Sequence, residues 1–249
     1  MKKWLIGLAA ATTLAAVAAL PAAANHSWGG YHWARTANPF TIQLGDNLSS
    51  DWKPYLSTAS SDWSASTVMD TAVVPGLSSN KRCRATSGRV QVCNGAYGQN
   101  GWLGLASINV SGSHITQGTV KVNDTYFAMA KYNNTAEKQH VMCQEVGHTF
   151  GLDHQDTSGI SLNTCMDYYQ NTSSSDTQST HPNQHDYDEL ATIYAHTDST
   201  TTIGAVATPS NAPDWAPGSS RSTVYVEHLS NGEERITFVI WADQLQASN

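Results

Sequence analysis

Between Cys143 and His154 the chain reads CQEVGHTFGLDH, residue types and spacing that suit a metal centre acting on water. On a helix, Gln144 and His148 lie four residues apart, so both side chains project from one face toward a common ion. Glu145 stands one position on. It can lie beside that ion without ligating it, where a base for a metal-activated water belongs. Gly151 accepts left-handed backbone angles and can turn the chain out of the helix, so that His154 returns as a third ligand. His140 shares the helical face, but eight residues at 1.5 Å each put it about 12 Å from His148, too far for one ion with bonds of about 2 Å. Asp153 is a further oxygen donor beside His154.

Downstream stands Cys165-Met166-Asp167-Tyr168. Together, Glu145, His148, Gly151 and His154 resemble the metzincin zinc-protease signature HExxHxxGxxH, with Gln144 where that family carries its first histidine, and Met166 resembles its Met-turn. The segment PNQHDYDELATIY is similar to the C-terminal helix of matrixin-like members, and the likeness covers about residues 31–196. The resemblance implies Zn2+ held by Gln144, His148 and His154, with Glu145 as general base and Tyr168 steadying the oxyanion. It implies a metalloendopeptidase with a protein or peptide substrate. An amide oxygen is a poorer zinc donor than imidazole, so the glutamine should lower affinity. Calcium, Ca2+, is a secondary candidate for the acidic loops, although no ligand loop can be named. The competing class is a non-catalytic, metzincin-like zinc-binding or interaction protein. His26, His32, His114, His181, His185, His196 and His228 have no partner on a shared helical face at ligand spacing and receive no zinc role.

Such a site needs a rigid frame. A helix is expected from about 135 to 150, ended at Gly151, and a second over 51–63, where Trp52, Tyr55, Leu56, Ala59 and Trp63 fall at helical spacing. Ser50 or Asp51 is placed to cap that second helix, with Pro54 in its first turn. Strand-like runs occupy 39–44, 67–74, 89–92, 102–110 and 119–122, and Gly45-Asp46-Asn47 reads as the turn that ends the first. Pro182-Asn183 can open a third helix with Tyr187, Leu190 and Tyr194 on its apolar face. Val224, Val226 and Leu229, then Asn231-Gly232, then Ile236, Phe238 and Ile240 read as a β-hairpin with a two-residue turn. The expected fold class is α+β, a metzincin-like zincin domain. Its twisted mixed sheet carries an active-site helix, a Met-turn and a C-terminal helix, with an active-site cleft between its two parts.

The remaining readings concern the compartment. Lys2 and Lys3, the apolar run 4–20 and Pro21-Ala22-Ala23-Ala24 have the pattern of a signal peptide cleaved after Ala24. The organisation read along the chain is a signal peptide 1–24, a catalytic domain 25–196, a linker or irregular wrap 197–220 and a hairpin extension 221–249. The product would be secreted and extracellular, without a membrane after cleavage, and a monomer. In an oxidising compartment the four cysteines should pair, Cys83 with Cys93 and Cys143 with Cys165. Charged residues are 13% and apolar residues 40% of the chain, which excludes disorder for its bulk. The net charge of −7 lacks the basic surplus that phosphate neutralisation needs, so nucleic acid is not an expected partner.

Overall fold

The computed structural model describes residues 26–205, 215 and 221–243. The signal-peptide reading at 1–24, and most of the stretch 206–220, lie outside them. The chain runs β1 (His32–Trp33), β2 (Phe40–Asn47), α1 (Lys53–Trp63), β3 (Met69–Pro75), β4 (Val90–Gly95), β5 (Trp102–Ser111) and β6 (His114–Asn123). It continues with α2 (Asp124–Phe127), α3 (Thr135–His148), α4 (Gln184–Ile193), β7 (Val224–His228) and β8 (Glu234–Trp241). One sheet has the order β3-β2-β4-β6-β5-β8-β7, with β1 also paired to β6. β1, β2, β3, β4 and β6 pair in parallel, whereas β5, β8 and β7 join antiparallel. This is a mixed sheet in an α+β chain.

β2 follows the two-residue period of a half-buried strand: Phe40, Ile42 and Leu44 face the core while Thr41 and Gln43 are exposed or polar. It does not end at Gly45. Asp46 pairs with both Pro75 and Val92, so the Gly45-Asp46-Asn47 segment is strand rather than turn. A Cβ at Gly45 would lie 2.5 Å from Gln91 Oε1, so a larger residue there would push that side chain aside. Helix α1 has Trp52 at its N-cap and no side-chain cap, so neither Ser50 nor Asp51 fills that role. Trp52 is held instead by its indole, which donates to Asp124 Oδ1 at 2.8 Å.

Helix α3 is capped by Asn134, whose Oδ1 accepts the Glu137 amide at 2.9 Å, and it stops at His148, short of the expected Phe150. The core lies between the sheet and α1 with α3, where Trp63, Leu56, Val141, Val146 and Phe150 are fully buried. The Trp63 indole donates to the Cys143 carbonyl at 3.1 Å and so joins the two helices. Both disulfides form as the spacing suggested, Cys83–Cys93 and Cys143–Cys165. The first closes a loop whose turn is at Gly88, φ 77°, where Thr86 and Arg89 form an isolated antiparallel bridge.

In the C-terminal hairpin Gly232 N–H bonds Leu229 O and Leu229 N–H bonds Glu233 O. The turn is therefore a three-residue loop with Gly232 at φ 83°, not the two-residue Asn-Gly turn. β8 lies along β5 from Trp102 to Val110, and every residue of it after Glu234 is buried. Among the described residues, no helix is long and apolar enough to cross a membrane.

Candidate metal centre

Three features of the fold deliver the site residues. The last turns of α3 carry Gln144, Glu145 and His148 on its buried side. Gly151, at φ +96°, turns the chain where a Cβ would come within 2.1 Å of Tyr31 O, and the Trp33 indole and Tyr194 hydroxyl donate to the Thr149 and Phe150 carbonyls there. The Cys143–Cys165 bond then ties α3 to the turn at Met166. Met166 packs under the helix so closely that a Cβ on Gly147 would sit 2.6 Å from its sulfur.

The donor atoms are left free in a consistent way. Gln144 Nε2 donates to Cys165 O and Asp167 O, each at 2.7 Å, which leaves Oε1 buried and without a partner. His148 Nδ1–H donates to Leu152 O at 2.8 Å, so its Nε2 keeps a lone pair and has no partner. His154 lies beside it, ring centroids 4.6 Å apart, with Nδ1 3.4 Å from Asp153 Oδ1 and Nε2 unpartnered. His140 is turned elsewhere, its Nε2 3.1 Å from Asp167 O.

Glu145 is fully buried and neither of its oxygens makes a hydrogen bond. Burial pushes its carboxyl well above the usual range. Burial also holds His148 well below the usual imidazole range, with nearby His154 adding to the effect. The neutral imidazole is the form that binds metal. The donor types suit zinc: two imidazole Nε2 atoms and an amide oxygen, all buried and unsatisfied, with a buried carboxyl at the next position after the amide.

The Tyr168 ring meets His154 at 5.3 Å, and its hydroxyl accepts the Trp241 N–H at 2.9 Å. Burial raises its phenol well above the ordinary value. Strand β8 closes the site. Phe238 stacks on His148, centroids 4.1 Å apart and planes 5° from parallel, and also meets His154 at 6.4 Å. No open cleft runs across these residues: His148, Glu145 and Gln144 have no solvent exposure. The expected cleft is filled by the hairpin, which the sequence placed only as a C-terminal extension. Its apolar alternation signalled burial, but not which surface it would cover.

A second group was also missed. His26 Nδ1 lies 2.9 Å from Asp153 O, and its Nε2 lies 3.5 Å from Asp186 Oδ1, with the His185 ring stacked at 4.9 Å. These residues brace the segment that carries His154.

No protein-family model matches the chain, and no curated protein sequence matches it. Among solved structures, High choriolytic enzyme 1, a hatching enzyme zinc-protease from Oryzias latipes (medaka fish), is similar over 66% of this chain and 94% of that one. The identity is 11% and the TM-score 0.36, too slight to transfer a residue role.

Proposed function

We propose that this chain is a secreted zinc-dependent metalloendopeptidase of metzincin-like build. The observation that carries the reading is the set of buried, unpartnered donors, Gln144 Oε1, His148 Nε2 and His154 Nε2, with the buried Glu145 carboxyl next to Gln144 in the chain. Unsatisfied buried polar atoms are costly. A cluster of them in one place is best explained by a ligand that satisfies them together.

In this reading Gln144, His148 and His154 hold the ion. Zinc, when bound, supplies Lewis acidity that polarises a carbonyl and acidifies water. Glu145 accepts the proton of the attacking water as the oxygen bonds to the scissile carbonyl carbon. The same carboxyl passes that proton to the amide nitrogen as the C–N bond breaks. The Tyr168 hydroxyl donates to the developing oxyanion. Met166 and the Cys143–Cys165 bond hold the ligand helix against the turn, which fixes the ligands before substrate arrives.

The test is hydrolysis of a diverse peptide library by the full chain and by the folded chain nicked at a protease site inserted within 206–214, each against its Glu145→Gln control. Cleavage by either form that disappears in Glu145→Gln, with zinc retained, carries the reading. Hydrolysis that survives the substitution overturns it, as does zinc content unchanged in His148→Ala. The burial of the site beneath Phe238 favours a second reading, a zinc-binding protein without turnover. That reading prevails if zinc is bound through His148 and neither form cleaves.

A further inference from the structure

We propose that His32, His114, His196 and Asp198 form a second metal site, a closed tetrahedral zinc site separate from the hydrolytic centre. Sequence spacing assigned these histidines no metal role. The fold brings them together: His32 and His114 are register partners on β1 and β6, and His196 and Asp198 arrive from the segment after α4.

The donor atoms converge at the right scale. His32 Nε2 lies 3.1 Å from His196 Nε2 and 3.5 Å from Asp198 Oδ1. His114 Nε2 is 3.2 Å and His196 Nε2 3.7 Å from the same oxygen. A tetrahedron with metal–ligand bonds of about 2.0 Å has six edges of about 3.3 Å; four of the six ligand pairs lie near that value, and the donor atoms of His32, His114 and Asp198 all lie within 4.8 Å of one another. The rings are splayed, His32 standing at 82° to His114 and at 89° to His196, so their lone pairs meet without the rings clashing.

The outer contacts prepare each ligand. His32 Nδ1 lies 2.8 Å from Gly30 O, and a carbonyl only accepts, so Nδ1 carries a proton and Nε2 is the nitrogen turned to the cluster. Asp198 Oδ2 accepts from the Arg35 guanidinium at 2.9 Å and the Arg35 amide at 3.2 Å, which leaves Oδ1 to face the imidazoles. A hydrogen-bonded ligand carboxylate and a backbone-anchored ligand imidazole are the usual supports of a metal site. Three imidazoles and one carboxylate fill four positions and leave none for substrate, so the site is structural and its metal is zinc before calcium or magnesium.

The test is metal content of the full chain after exchange into metal-free buffer, followed by cobalt substitution. Two zinc ions are expected in wild type, one in His148→Ala, one in His196→Ala and none in the double variant. His196 is half exposed, so its replacement removes little packing, and circular dichroism checks the fold. His114→Ala is the second variant and should match it. Chelator should lower the Tm of His148→Ala and leave the Tm of the double variant unchanged. Equal zinc in wild type, His196→Ala and His114→Ala would mean a hydrogen-bonded cluster only, and would overturn the proposal whatever the hydrolytic site does.

A different observation carries a second inference, which rests on the hydrolytic reading above. The geometry points to the β7–β8 hairpin as an intramolecular plug that keeps the hydrolytic site latent. β8 occupies the edge of β5, Phe238 covers His148, and the Trp241 N–H occupies the Tyr168 hydroxyl. The last two contacts engage residues to which the proposed mechanism gives a role, His148 at the metal and Tyr168 at the oxyanion. The probe is acetohydroxamate added to the cobalt-loaded His196→Ala chain, where only the hydrolytic metal reports. Apparent affinity falls with the fraction of competent conformer, so nicking within 206–214 and release of the hairpin should tighten hydroxamate binding about tenfold or more. Phe238→Gly in the unbroken chain should move it in the same direction. Equal binding by intact, Phe238→Gly and nicked chains overturns the plug. Cobalt spectra unchanged by His148→Ala would instead overturn the hydrolytic reading.

Discussion

Glu145 sits within a narrow gap between α3 and β5. A Cβ on Gly104 would lie 2.5 Å from Glu145 Oε1 and 2.6 Å from Val141 Cγ1. Gly104→Ala should therefore cost about 1–3 kcal/mol through overpacking, measured by denaturant unfolding, and should displace the carboxyl while zinc content stays the same. Glu145→Gln is nearly isosteric and should leave stability close to wild type, while lowering kcat of the nicked enzyme by about 10²–10⁴-fold. These residues were legible in sequence to different degrees. Glu145, His148 and His154 announced themselves by spacing along one helix and the turn that follows it. His32, His114, His196 and Asp198 did not, because they lie on three separate segments and their meeting depends on strand register and the course of the chain after α4. The hydrogen bonds that leave Gln144 Oε1 free were equally hidden, since their acceptors are carbonyls of a distant turn.

At the scale of elements, α4 shows how a cap and a buried acid share one residue. Asn183 accepts the His185 and Asp186 amides, while Asp186 Oδ2 accepts the Asn183 amide at 2.7 Å, a reciprocal capping box. Asn183→Ala should cost about 1 kcal/mol, read as a shift in denaturation midpoint. Asp186 is fully buried, and desolvation raises its carboxyl to about 6; Asp167 is raised to about 6 for the same reason. The native chain thus holds protons that the unfolded chain releases near pH 4. Stability should fall as pH rises from about 4 to about 6, by on the order of 2–3 kcal/mol for Asp186 alone, and level off above that window. Asp186→Asn should flatten the fall in a series of unfolding curves across that range. The strands and helices were largely readable from periodicity, yet their ends were not. Pairing with two neighbours carried β2 through a glycine and an asparagine that read as a turn.

At the scale of the whole molecule, the Cys143–Cys165 bond closes a loop of sequence separation 22 that contains His148 and His154. Replacing both cysteines with alanine should cost about 3 kcal/mol by loop-closure entropy, measured against the Cys83–Cys93 replacement as a reference. The sheet has a further property that follows from its order. β5 pairs with β6, its immediate successor in the chain, but its other edge waits for β8, more than a hundred residues later. Long-range pairings form slowly compared with local ones. During refolding from denaturant, the α3 residues proposed to hold metal should therefore assemble before the last strand arrives. Stopped-flow mixing with a hydroxamate should catch a transient population with an open metal that vanishes as β8 docks, so that latency is acquired as the closing event of folding.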